Sequence, residues 1–307
     1  MNYVLREESR FINLSYTQVR GRLHRERDEP CGDIVVVQNH PEYLFCGIAD
    51  GKSGAEFGAE GGRASLEAVA DYIHELGIGN LIHAPFPDEL PCMMVKEIRK
   101  RLLGLAGEKN TELQSFASTL LAIAVDQATG EYMLLHLGDS CALGIPETGD
   151  AVVLSLPENG LSFNHTWLTT SDHAVAHLRI RFGSLEGKTR ILLLSDGASC
   201  LCGNGNIHHR AKPLLKDGSA SQLRAYLESS NPADDASCIL LELHTLMLKM
   251  AASFPTEQIR YTMRKRSNST VFLSGMTSIS WAGKMTTHII HTMGTSQWNR
   301  YWIRVTD

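Results

Sequence analysis

Apolar and polar positions alternate along this chain in a series of short segments with the two-residue period of β-strands, at 11–19, 33–38, 43–49, 117–126, 131–137, 151–156, 190–195 and 237–243. Several of these runs open or close on Gly, Asp or Pro, residues whose backbone preferences and local hydrogen bonds favour turns over a continued strand. Between the runs the period changes. In 55–76 (AEFGAEGGRASLEAVADYIHEL) apolar residues recur at three-to-four spacing, and in 92–106 Met94, Val95, Ile98, Leu102 and Leu103 do the same, so each segment predicts a helix with one buried face. A further helix is expected over 219–229, while the Pro-rich stretch 80–91 (NLIHAPFPDELP) reads as a loop between the two main helices. Strand runs interrupted by paired long helices predict an α+β chain in which two mainly antiparallel sheets stack face to face with helices outside both, a four-layer α/β/β/α sandwich.

After the strand ending near Leu243 the pattern breaks. Residues 245–307 are rich in Ser, Thr and Met and hold three of the four tryptophans, Trp281, Trp298 and Trp302. They carry eight Lys and Arg against Glu257 and Asp307, a balance of +6, which leaves −11 on residues 1–244 out of the total of −5. Two domains are therefore expected, a body of 1–244 and a basic extension of 245–307. The tryptophans argue against simple disorder in the extension. An acidic body is not built to hold a phosphate backbone, so nucleic acid is excluded as the main partner.

Composition narrows the class further. With 307 residues, 43% hydrophobic and 21% charged, the chain can bury a sizeable core. No apolar run reaches the roughly 18 to 20 residues that span a bilayer, and the N-terminus (MNYVLREESR) is charged where a secretory leader would be apolar, so a cytoplasmic location with no membrane partner is expected. Seven scattered cysteines, an odd number, read as reduced thiols. Cys200 and Cys202 are too close together for a Cys-x-x-Cys zinc knuckle.

The candidate chemistry lies in four acidic residues at strand ends: Asp33, Asp50 in LFCGIADG, Asp196 in ILLLSDG and Asp234 in DDASCILLEL. Carboxylates so placed are partly desolvated and repel one another if they converge, and a bound divalent cation relieves both costs. Hard oxygen donors suit Mg²⁺ or Mn²⁺ better than Zn²⁺ or copper. A single Asp-Gly after a strand is as readily a plain turn. Two such strand ends with a third acidic strand start shift the balance toward a metal centre.

Five segments in order resemble the motifs of the metal-dependent protein phosphatase family of type 2C, in its divergent bacterial branch. GRLHRERDEPCGD is similar to the opening motif ending in Asp, and GIADGKSGAE to the Asp-Gly-His-Gly-Gly motif. FASTLLAIAVD with LLHLGDSCAL resembles the Ser/Thr-bearing strand and Val-Gly-Asp-Ser hairpin, ILLLSDGAS the Ser-Asp-Gly motif, and PADDASCILLEL the closing Asp-Asn strand. The likeness covers roughly residues 10–243 and none of the extension.

That resemblance implies a Mn²⁺- or Mg²⁺-dependent serine/threonine protein phosphatase with two metal ions. Asp50 would bridge them, the carbonyl of Gly51 would join one, Asp196 and Asp234 would hold the other, and Asp33 would act through a bound water. A metal-activated water would then attack the phosphoserine or phosphothreonine monoester directly. The implied partner is a phosphorylated protein, the substrate of a bacterial Ser/Thr kinase.

The departures from the family pattern matter as much. Gly32 precedes Asp33 where relatives have Glu or Gln, so one outer contact to the site is missing. Lys52 stands where many members have a His that protonates the leaving alkoxide, and a lysine serves there only if burial or nearby cations lower its pKa. Its other reading is a solvated loop charge. Asp139 and Cys200 fall where some members hold a further cation, which makes Asp139 a structural turn residue instead. For phosphate capture the chain offers Arg22, His24, Arg25 and Arg27, of which His24 matches the bacterial branch; the alternative for His24 is a surface histidine. The stretch 167–190 (WLTTSDHAVAHLRIRFGSLEGKTR) lacks the glycine-rich flap of many relatives and is similar to the compact connection of the bacterial branch. Gly32, Lys52 and Cys200 keep a second class in play, a pseudophosphatase acting as a binding module. A nucleic-acid binder working through the basic extension ranks well below both.

Overall fold

The computed structural model describes residues 4–8, 12–146, 151–159, 166–199, 220–243, 286–294 and 297–305. The strands are β1 (Val4–Glu8), β2 (Ile12–Val19), β3 (Asp33–Asn39), β4 (Tyr43–Asp50), β5 (Leu120–Asp126), β6 (Glu131–Leu137), β7 (Cys141–Pro146), β8 (Val152–Ser155), β9 (Arg179–Ser184), β10 (Lys188–Leu194), β11 (Ala236–Leu243), β12 (Thr286–Gly294) and β13 (Gln297–Val305). The helices are α1 (Arg22–Glu26), α2 (Gly58–Leu76), α3 (Ile78–Ile82), α4 (Leu90–Lys109), α5 (Ala174–His177), α6 (Asp196–Ser199) and α7 (Ala220–Ser230).

One sheet runs β3-β4-β5-β6-β9 and the other β1-β2-β11-β10-β7-β8, every pairing antiparallel. Alternation along the central strands sorts their side chains into three layers of core. In β4, Leu44, Cys46 and Ile48 face the interior between the sheets, while Tyr43, Phe45 and Ala49 face the helices. Strand β5 divides the same way, Leu121, Ile123 and Val125 inward and Leu120, Ala122 and Ala124 outward. The outward side is covered by α2 through Leu66, Val69 and Ile73 and by α4 through Met94, Val95, Ile98 and Leu102. On the other sheet, β10 and β11 send Ile191, Leu193, Ile239 and Leu241 inward and Leu192, Leu194, Cys238 and Leu240 outward, where Leu223 and Leu227 of α7 cover them. The result is the four-layer α/β/β/α sandwich.

Continuously apolar strands with helices on the far side make the pattern legible; the runs expected from sequence lack β1 and β9, and also β7, which lies inside the second sheet between β10 and β8. The stretch 80–91 is not all loop: it holds the end of α3, a 3-10 turn at Pro87–Glu89 and the first turn of α4, with Pro91 among the first helical positions, where its missing N–H costs nothing. Within 167–190 the chain forms α5 and the strand β9. By its contacts the chain divides into two units, Met1–Pro255 and Thr256–Asp307. The second contains the antiparallel hairpin β12–β13, which pairs Ile289 with Trp302 and Met293 with Trp298. No described helix is long and apolar enough to cross a membrane.

Candidate metal centre

Two strand ends on the first sheet form one side of the site. Asp33 opens β3, Asp50 closes β4, and the antiparallel register sets them directly opposite each other. Two like charges facing across one rung are destabilising unless something offsets them. The backbone around them is held firmly. The Asp50 N–H donates to the Thr119 hydroxyl (2.9 Å), and the Thr119 N–H donates back to the Asp50 carbonyl (2.9 Å). Gly51 N–H donates to the Gly32 carbonyl (3.2 Å), tying the two family-like motifs together before β4 leaves the sheet.

The second sheet supplies the other side. Ser195 and Ser237 lock the ends of β10 and β11 by reciprocal bonds: Ser195 N–H to the Ser237 carbonyl (3.0 Å) and Ser237 N–H to the Ser195 hydroxyl (2.9 Å). This fixes Asp196, the first residue of α6, beside Asp234 and Asp235, which precede β11. Two glycines let neighbouring backbone reach that loop. A Cβ on Gly21 would lie 2.3 Å from the Asp234 carbonyl carbon, and one on Gly197 would lie 2.0 Å from the Asp235 carbonyl oxygen. Neither position admits a side chain without moving the acidic loop. Sequence patterning assigned no role to Gly21, since its need for Gly arises from a segment more than two hundred residues away.

The electrostatics follow from this convergence. Asp33 is buried at 2% exposure, and among the described residues neither of its carboxylate oxygens has a hydrogen-bond partner. Burial pushes its pKa up to about 8; the nearby Ser237 hydroxyl opposes the shift, and the charges of Asp196 and Asp235 reinforce it. Asp50 is held well above the ordinary carboxylate range by burial and by the charges of Asp33, Asp196, Asp234 and Asp139. Asp196 rises to about 7, from burial and then from Asp139 and Asp234, although the Gly197 N–H donates to it (2.6 Å). An orphaned buried carboxylate among others that resist ionising is a site short of positive charge. A set of hard oxygen donors with this deficit fits divalent cations such as Mg²⁺ or Mn²⁺.

The predicted residues have unequal surroundings. Asp33, Asp50, Asp196 and Asp234 are brought within electrostatic reach of one another. Asp139 accepts a hydrogen bond from the Thr166 hydroxyl (2.6 Å), as a turn residue would, yet its charge is felt at Asp50 and Asp196. Lys52 is exposed, so the burial that a lysine proton donor would draw on is missing there. Cys200 lies outside the described residues.

His24 is on α1, one-fifth exposed, and its Nδ1 is 2.7 Å from Oδ2 of Asp235. Ligand atoms of His24, Asp234 and Asp235 all lie within 4.8 Å of one another. Asp235 is a site residue that sequence reasoning passed over. The Asp-Asp pair in PADDASCILLEL was the available signal, but only its first member was singled out. Its carboxylate, at 2% exposure, accepts from the N–H of Gly21 (2.6 Å) and of Gly32 (2.5 Å) as well as facing His24. Asp234 beside it is exposed. At Gly32 an added Cβ would sit 3.6 Å from the Gly51 carbonyl and 3.7 Å from Cε1 of His24, so the side chain missing from this position leaves His24 and Asp235 lining the space.

Residues 20–241 match the family model described as protein phosphatase 2C. No curated protein matches the chain in direct sequence comparison. Among solved structures, the chain is similar to RsbX in complex with magnesium, at 16% identity over 78% of this chain and 100% of that one, with a TM-score of 0.54. It is similar to the catalytic domain of the serine/threonine protein phosphatase PstP in complex with two manganese ions, at 15% identity over 76% and 99%, TM-score 0.55. A third likeness is to the serine/threonine phosphatase Stp1 from Staphylococcus aureus, at 16% identity over 75% and 94%, TM-score 0.57. At such identities the likeness is one of fold.

Proposed function

Because the chain belongs to the protein phosphatase 2C family, we propose that it is a Mn²⁺- or Mg²⁺-dependent serine/threonine protein phosphatase acting on a phosphorylated protein in the cytoplasm, the product of a bacterial Ser/Thr kinase. The observation that carries this reading is the buried Asp33 carboxylate, without a hydrogen-bond partner among the described residues, in a group of carboxylates that burial first, and then their mutual repulsion, keeps from ionising readily. The relatives RsbX and PstP, whose structures hold magnesium and manganese, support the choice of metals.

In this reading Asp50, the Gly51 carbonyl, Asp196 and Asp234 would hold the divalent ions, and Asp33 would support the site from beside them. Bound divalent cations supply an acidified water and positive charge for the phosphoryl oxygens. The chain's own residues do the rest. Asp50 and Gly51 are kept in place by Thr119 and by the Gly32 carbonyl, so the ligand set is built on strand ends and not on a free loop. His24 would grip a phosphate oxygen, and Lys52 would serve the leaving alkoxide from the solvent side, without the burial that favours a lysine donor. The catalytic body is residues 1–244, and 245–307 is a separate extension.

A second reading has specific support: Lys52 is exposed and Gly32 offers no side chain, which favours a pseudophosphatase that binds a partner without turnover. One assay separates the two. Purified protein is expected to hydrolyse p-nitrophenyl phosphate and a phosphothreonine peptide with Mn²⁺, to stop with EDTA, and to lose roughly a thousandfold in Asp50→Asn, since a ligand's contribution of several kcal/mol is worth tenfold per 1.36 kcal/mol. Absence of any metal-stimulated turnover would select the binding module.

A further inference from the structure

The contacts of Asp235 admit two interpretations, and its lone pairs decide between them. His24, Asp234 and Asp235 lie close enough to be taken for a metal site of their own. A carboxylate offers about four lone-pair positions. In Asp235, Oδ1 receives the Gly21 N–H, and Oδ2 receives the Gly32 N–H and faces Nδ1 of His24 at 2.7 Å. Three of these positions are thus filled, two of them by backbone N–H groups that anchor the two motifs, and only one on Oδ1 is left for any further partner. Asp235 is therefore engaged in holding its neighbours.

The ring it holds is also supported from below. Helix α1 is fixed to the acidic loop by the Arg22 N–H donating to the Pro232 carbonyl (2.8 Å) and the Leu23 N–H donating to the Ala233 carbonyl (3.0 Å). With the backbone of His24 pinned and its Nδ1 against a buried carboxylate that has two further donors, one ring orientation is selected, with the proton on Nδ1. Among the described residues Nε2 then remains for a ligand: it is 3.9 Å from the half-exposed carboxylate of Glu29, beyond hydrogen-bond reach.

We infer that Asp235 is a positioning residue: its buried carboxylate fixes the ring of His24 through Nδ1 and so presents Nε2 to a phosphate oxygen of the substrate. This rests on the phosphatase reading for what His24 touches, but not for how the ring is held. The role falls to Asp235, whose Oδ2 is 2.7 Å from Nδ1 of His24, and not to Asp234, which the proposed reading assigns to the metal ions.

The test has two arms. In ¹⁵N-histidine-labelled, metal-free protein at alkaline pH, the His24 signals, assigned by their loss in His24→Gln, should report a proton on Nδ1. A proton on Nε2 overturns the inference whether or not any variant folds. With Mn²⁺ and a phosphothreonine peptide, Asp235→Asn should lower kcat/KM about 10- to 100-fold, the usual effect of losing a partner that orients a site residue. That loss should all but vanish in the His24→Gln background, because the two residues act as one unit. An equal loss in both backgrounds makes Asp235 merely structural and sinks the inference. If the wild type has no turnover while His24 carries its proton on Nδ1, the enzyme reading fails and the positioning of the ring stands.

Discussion

The interior between the two sheets and the acidic rim above it are built from the same strands by opposite rules. In the interior, Leu44, Ile48, Leu121, Ile123, Leu193 and Ile239 are closed off from water and satisfied by packing alone. One or two residues further along β3 and β4, and just beyond β10 and before β11, Asp33, Asp50, Asp196 and Asp234 bring charges toward one another. The interior gains stability with each contact, whereas the rim holds groups that would be more stable apart. A rigid apolar scaffold is what lets the second arrangement persist.

Either region can be perturbed without the other. The largest effect on stability is expected in the packed part: Phe45→Ala, at a fully buried position against α2, should cost about 3–5 kcal/mol by denaturant unfolding. At the junction of the two regions, Gly21→Ala should cost about 1–3 kcal/mol, because its Cβ must push the Asp234 backbone away. Unlike the core variant, it should also weaken Mn²⁺ binding measured by calorimetry; a loss of stability with unchanged metal affinity would separate Gly21 from the site.

The most diagnostic effect has the reverse sign. Asp33 has a folded-state pKa of about 8, above the ordinary carboxylate value, so the folded, metal-free protein binds a proton there that the unfolded chain releases. Its stability should therefore fall as pH rises from the usual carboxylate range through about 8, and level off above that. Asp196, with a pKa of about 7, contributes in the same direction. Asp33→Asn should raise the melting temperature of the metal-free protein, more at alkaline than at acidic pH. A gain independent of pH, or a loss, would mean that Asp33 carries no unrelieved charge.

The interior was legible in the sequence because β4 and β5 are apolar on both faces and α2 and α4 repeat at helical spacing, so local pattern and tertiary burial agree. Strand β9 (RIRFGS) was missed because it is an edge strand with two arginines and no buried position, and helix α1 because its five residues are held by contacts with 232–233 and not by their own periodicity. At the rim, Asp50 and Asp196 were visible as strand-end Asp-Gly pairs. The partnership of Asp235 with Gly21, Gly32 and His24 was not, since every partner is more than two hundred residues away and nothing local marks it. Local pattern finds ligands that sit on regular elements; it does not find what holds them.

The claim that the rim is a divalent-cation centre is tested most directly by anomalous diffraction from crystals grown with Mn²⁺. Two peaks are expected between the sheet ends, both contacting Asp50, with Asp196 and Asp234 on one of them. No peak there, or a single peak held by His24 and Asp235, would contradict it.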